Sequence, residues 1–259
     1  MPVTFIMLDG VRPDAITTAD CPTLNHLIER GASTMTARSV MPSVTLPCHT
    51  SIFHSVPPTR HGITTNTFIP FARPVPGLVE IAKADGQRSA FFYNWEQLRD
   101  LSRPGSLYYS YCKDTSYNPD GDDHTVAEAS RFIQTEQPEF AFLYIGTVDS
   151  MGHAYGWMSD EYLRQLERVD GLLGDFFAAL PGPYTTIVHS DHGGHDRNHG
   201  SDSEEDMTIP WMAAGPNIKK GYTIQSPVSL LDTAPTIAKL LELKPHHEWE
   251  GRVVEEIFQ

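Results

Sequence analysis

The chain has 259 residues, 40% hydrophobic and 20% charged, which suffices for one substantial core and fits a single large domain. Its formal net charge of −14 argues against a nucleic-acid polymer as partner, because that affinity rests on lysine and arginine neutralising phosphates. No run approaches the roughly 18 continuous apolar residues of a membrane span, which excludes a helical membrane protein. MPVTFIMLDG lacks the basic start of a secretory signal. Cys21, Cys48 and Cys112 are odd in number and widely spaced, which suits free thiols better than a disulfide framework. A cytoplasmic protein without membrane contact is the expectation.

In chain order, VTFIML (3–8) reads as a buried strand running into Asp9. PTLNHLIERG follows with helical spacing of Leu24, Leu27 and Ile28 and a glycine stop at Gly31, and STMTARSV (33–40) reads as a second strand. Pro47 favours a helix opening at PCHTSIFHS, with Thr45 just ahead of it. A helix over PGLVEIAKADG ending at Gly86 and a strand over RSAFFY (88–93) come next. Residues 102–122, aromatic and turn-rich, form a substrate-facing loop or an irregular hairpin. DDHTVAEASRFIQTE is a helix with carboxylates in its first turn, where they complement the helix dipole. FAFLYIGTV (140–148) is a strand running into Asp149; SDEYLRQLERVDGLLGDFFAAL is a helix; YTTIVHS (184–190) is a strand running into Asp191. A strand over IPWMAAG (209–215) and a helix over SLLDTAPTIAKLLEL complete the set. Strands alternating with helices, without repeat or long linker, imply one α/β domain over 1–259 with helices on both faces of a mostly parallel sheet.

In such a sheet the carboxyl ends of the strands share one edge, where ligands bind. Asp9, Asp149 and Asp191 converge there. An aspartate after a strand also serves as a turn former or helix cap, but His153 follows Asp149 in DSMGH, and His192, His195 and His199 follow Asp191 in DHGGHDRNHG. Aspartate oxygen and histidine nitrogen are donors that zinc accepts, and a cation is the simplest way to tolerate crowded carboxylates. Six such ligands suffice for two cations. His26, His54, His124, His246 and His247 stand alone and read as surface or core residues. Thr45 is either a helix cap or a nucleophile, since a helix N-terminus stabilises an alkoxide and binds phosphate.

Four motifs in register, MLDGVRPD, PSVTLPCHT with HGITTN downstream, DSMGHAYG and SDHGGHDRNHG, resemble the alkaline phosphatase superfamily, most closely its type I phosphodiesterase/nucleotide pyrophosphatase branch. The resemblance runs from Asp9 to at least Pro216. It implies an alkaline-phosphatase-like sandwich, here without a large cap insertion, and two divalent metal ions, most simply Zn2+. Asp9, Asp191 and His192 would hold one ion with the nucleophile Thr45. Asp149, His153 and His199 would hold the other, with His195 as an alternative or supporting residue, because His199 lies only seven residues after His192. Asn66 would contact a non-bridging phosphate oxygen. Thr45-Leu46-Pro47-Cys48-His49 lacks the Cys/Ser-x-Pro-x-Arg pattern of sulfatases. Threonine with Asn66 resembles the diesterase arrangement, unless Arg12, Arg60 or Arg197 enters the site. Hydrolysis of phosphodiester or phosphoanhydride bonds in a small phosphate ester or nucleotide, through a phosphothreonine intermediate, is the expected activity. A phosphonate or phosphate monoester hydrolase, and a non-catalytic metal- or nucleotide-binding protein, are the alternatives.

Overall fold

A computed structural model describes residues 1–259. Eight strands, β1 (Val3–Leu8), β2 (Ala32–Arg38), β3 (Ser89–Tyr93), β4 (Tyr109–Cys112), β5 (Phe140–Ile145), β6 (Thr185–His189), β7 (Thr208–Ala214) and β8 (Tyr222–Thr223), form one sheet in the order β4-β3-β5-β1-β6-β7-β2-β8. All neighbours are parallel except β7, which is antiparallel to both β6 and β2. The expected mostly parallel α/β sheet is therefore present.

Ten helices flank it: α1 (Pro13–Thr18), α2 (Pro22–Arg30), α3 (Thr45–His54), α4 (Pro58–His61), α5 (Leu78–Ala84), α6 (Gly121–Glu136), α7 (Thr147–Tyr155), α8 (Asp160–Ala179), α9 (Glu204–Met207) and α10 (Thr233–Leu240). Successive side chains on a strand point to opposite faces, and this alternation splits the core in two. Phe5 and Met7 pack with Phe53, Phe142 and Ile237 on one side, and Ile6 and Leu8 pack with Leu143, Leu166 and Val188 on the other. Helices α3, α5 and α10 cover the first layer, and α1, α2, α6, α7 and α8 the second. No helix is long and apolar enough to cross a membrane.

Three sequence expectations are corrected. Strand β5 stops at Ile145, and Asp149 lies in the first turn of α7; Gly146 turns the chain, and its N–H is held by the buried carboxylate of Asp122 (3.1 Å). Helix α3 begins at Thr45, two residues before Pro47. Residues 102–122 are neither all loop nor a hairpin: β4 pairs parallel to β3.

Candidate active site

Strands β1, β5 and β6 lie side by side at the centre of the sheet, so the segments leaving their carboxyl ends meet. Asp9 follows β1, α7 follows β5, and Asp191 and His192 follow β6. Two groups of side chains form there, Asp9 with Asp191 and His192, and Asp149 with His153 and His199, each with its potential ligand atoms mutually within 4.8 Å. These are the two sets the motifs pointed to.

The hydrogen bonds fix which atom of each residue faces inward. Asp191 Oδ1 accepts from the N–H groups of Gly10 (3.2 Å) and His192 (3.0 Å), and Asp9 Oδ2 accepts from the Tyr144 hydroxyl. That leaves Asp191 Oδ2 and Asp9 Oδ1 buried without a partner, as is Asp149 Oδ1. The histidines are set the same way. His192 Nδ1 lies 2.8 Å from Gly193 O, His199 Nδ1 2.8 Å from Ser43 O and His153 Nδ1 3.0 Å from Arg197 O. A carbonyl only accepts, so each Nδ1 carries the proton and each Nε2 presents a lone pair. His192 Nε2 lies 3.3 Å from Asp9 Oδ1 and 3.4 Å from Asp191 Oδ2. His153 Nε2 and His199 Nε2 lie 3.5 and 3.7 Å from the Asp149 carboxylate oxygens. Orphaned carboxylate oxygens facing imidazole lone pairs are all acceptors, an arrangement that a divalent cation resolves.

Electrostatics agree. Burial, then Asp191 and Asp149, hold the Asp9 carboxyl well above the usual carboxylate range. Burial pushes Asp149 up to about 7 and raises Asp191 as well. Burial lowers His192 and His199 to about 4, so both imidazoles are neutral at physiological pH, the form that can ligate a cation.

Thr45 is buried at the first turn of α3, and its side chain makes no capping bond. Its Oγ1 instead lies 3.3 Å from His192 Nε2. Asn66 Oδ1 accepts from the Leu46 N–H (3.0 Å), which leaves its amide nitrogen as a donor beside Thr45. A cavity of about 90 Å³ joins Thr45, Asn66, Asp9 and the second cluster to Trp95, Ser116 and Tyr117. No lysine or arginine lines it. Arg12 bonds Asp14 and Gly194 O, and Arg60 bonds Glu248 and Arg73 O. His195 stays outside the clusters, its Nδ1 2.7 Å from the Asp206 carboxylate.

Sequence reasoning missed several supporting residues. Tyr144 holds Asp9. His49, fully buried, sits with Nδ1 3.6 Å from Asp191 Oδ2. Trp157 packs edge-on against His153 and His199, its Nε1–H donating to Gly10 O (2.8 Å). Gly194 makes room for that indole: a Cβ there would stand 2.2 Å from Trp157. Asp122 anchors α7 through Gly146 N, Asn94 Nδ2 (2.7 Å) and the Thr147 hydroxyl. The GG dipeptide after His192 was the one local signal of close packing.

A central parallel sheet with paired Asp/His clusters at its carboxyl edge, beside a hydroxyl at a helix N-terminus, defines an alkaline-phosphatase-like fold. Murine ectonucleotide pyrophosphatase/phosphodiesterase 5, solved as an inactive variant in complex with AMP, superimposes with a TM-score of 0.83 at 17% identity over 100% of both chains. A mutant of the alkaline phosphatase PafA superimposes with 0.80 at 13% identity, over 99% of this chain and 98% of that one. The sequence profile of the type I phosphodiesterase / nucleotide pyrophosphatase family matches residues 3–209, and the chain belongs to that family. Human ectonucleotide pyrophosphatase/phosphodiesterase family member 1 is 28% identical over 222 residues, 74% of this chain and 23% of that protein. The chain thus spans about a quarter of that relative's length.

Proposed function

We propose that this protein is a two-metal hydrolase of phosphodiester or phosphoanhydride bonds in small phosphate esters or nucleotides, acting as one domain without a large cap. The observation that carries the reading is the meeting of Thr45 Oγ1, Asp9 Oδ1 and Asp191 Oδ2 within 3.3–3.4 Å of His192 Nε2, next to a second Asp/His cluster. In this reading Asp9, Asp191 and His192 hold one divalent cation, and Asp149, His153 and His199 the other. Zinc suits the donor set; bound there, such ions supply positive charge that makes the Thr45 hydroxyl acidic and neutralises phosphoryl oxygens.

The chain's own groups do the rest. Thr45 attacks phosphorus and becomes a phosphothreonine as the leaving oxygen departs, and water then opens that ester. Its place in the first turn of α3 adds the partial positive charge of the helix N-terminus. Asn66, fixed through Oδ1, offers its N–H groups to a non-bridging oxygen. Tyr144 keeps the Asp9 carboxylate in one orientation, and the three backbone carbonyls keep the imidazoles in the ligating tautomer. A cavity without lysine or arginine supports a diester, which carries less charge than a monoester. The family relationship supports phosphoester hydrolysis. We include a cytoplasmic location, supported by three unpaired cysteines.

The test is kcat/KM for bis(p-nitrophenyl) phosphate against p-nitrophenyl phosphate in zinc-reconstituted protein, with Thr45→Ala as control. We expect the diester to be preferred at least tenfold and turnover to vanish in the variant while metal content stays. Monoester preference would transfer the reading to a phosphate monoester hydrolase. Retained turnover in the variant would remove Thr45 as nucleophile.

A further inference from the structure

At the opposite end of the sheet lies a second cavity of about 900 Å³, ten times the volume beside Thr45. It opens between α2, α8 and the turn after β7. Thr186 of β6 forms part of its floor; Asp191 lies five positions further on, roughly 17 Å away along an extended backbone. A volume in this range accommodates a small organic molecule.

Its lining has two characters. Leu27, Phe177 and Tyr184 supply apolar surface, while Arg30 and Lys220 supply positive charge at the rim. No Asp or Glu side chain lines it, although the chain carries 33 acidic against 19 basic residues. Neither Arg30 nor Lys220 makes an ion pair or a side-chain hydrogen bond, whereas Arg12, Arg38, Arg60, Arg88 and Arg168 all engage carboxylates. Two unpaired cations facing a shared hollow attract an anion. The floor adds a donor. Thr186 is 4% exposed and its hydroxyl pairs only with that of Thr4, at 2.8 Å. Two hydroxyls carry two protons and the pair consumes one, so when Thr4 donates the Thr186 O–H is free for a ligand. The N-terminus of α2 contributes nothing here, because the Asp170 carboxylate already accepts from Thr23 N and Leu24 N.

We propose that this cavity binds a small amphiphilic anion, its apolar body against Leu27, Phe177 and Tyr184 and its charged group on Arg30 and Lys220. The probe is 2-naphthalenesulfonate, which has both parts and no phosphoester bond, titrated calorimetrically into the intact chain. One equivalent binds saturably, equally well in Thr45→Ala, and affinity falls at least tenfold in the Arg30→Glu/Lys220→Glu variant. Both positions are exposed, so that variant folds, and Arg30→Lys/Lys220→Arg restores binding. Sodium sulfate at matching ionic strength weakens binding only slightly. Full displacement by equimolar sulfate would reduce the site to a bare anion contact and overturn the amphiphile assignment. Unchanged affinity in the charge-reversed variant, or no saturable binding in the parent, would overturn the proposal itself.

Discussion

Asp122 offers a quantitative check on how the second cluster is held. The residue is fully buried at the start of α6 and accepts from Asn94 Nδ2, Gly146 N and the Thr147 hydroxyl. Burial nevertheless dominates and raises its carboxyl from 3.8 to about 6. A raised folded-state value means that its stability contribution is complete below pH 3.8 and is lost as pH rises through about 6. At about 1.4 kcal/mol per pH unit, the full loss is about 3 kcal/mol, of which about 1.4 kcal/mol falls between pH 5 and 8. Asp122→Asn keeps an acceptor for Asn94 and Gly146 and removes the charge, but leaves the Thr147 proton seeking a partner, at about 1 kcal/mol. The variant is therefore more stable than the parent by about 2 kcal/mol at pH 8, and that advantage shrinks by about 1.4 kcal/mol at pH 5. Urea unfolding of both proteins in chelator at the two pH values measures this difference. A stability gap that is the same at pH 5 and 8 would refute the assignment of a buried, titrating carboxylate. Asp122→Ala, which strands two N–H donors, should cost about 2–4 kcal/mol at pH 8.

The clusters make further predictions. Zinc added to chelator-stripped protein at pH 6 should release protons, because Asp149 titrates at about 7, and release should fall by pH 9; calorimetry in buffers of different ionisation enthalpy counts them. Stripped protein should lose thermal stability as pH rises through about 7, where Asp149 ionises, and again as pH falls through about 4, where buried His192 and His199 charge. A flat melting profile from pH 4 to 9 would contradict both. His199→Gln should lose one of two zinc equivalents by atomic absorption, while His195→Gln keeps both. Gly194→Ala should cost about 1–3 kcal/mol by forcing Trp157 against His153 and His199, with weakened zinc retention against a chelator as a second readout.

The residue types of the site were legible because both clusters are written in short local motifs, MLDG, DSMGH and DHGGHDRNH. Less legible was what holds them. FAFLYIGTV reads as one strand through Val148 since threonine and valine favour strands, yet Asp122, 24 positions from Gly146, ends it early. Locally, Asp122 was only a helix first-turn carboxylate. Thr45 reads locally as either a cap or a nucleophile, and its hydroxyl's neighbour, His192, lies 147 positions away, beyond the reach of local pattern. Tyr144 and His49 carry no local signal of a role at the site, since their sequence context encodes little beyond burial. The short strands β4 and β8 carry too few residues for periodicity to register.

The pairing of β1 with β6 has a consequence for how the molecule assembles. Gly10 and Asp191, 181 positions apart, touch at the first cluster, so closing that contact loops about 70% of the 259-residue chain, at an entropic cost incurred before any cation can be gripped. On the proposed function, cation capture is then a late event that follows the completed sheet. Metal should leave the refolding rate almost unchanged and slow unfolding instead, which makes the ion a lock on the finished molecule.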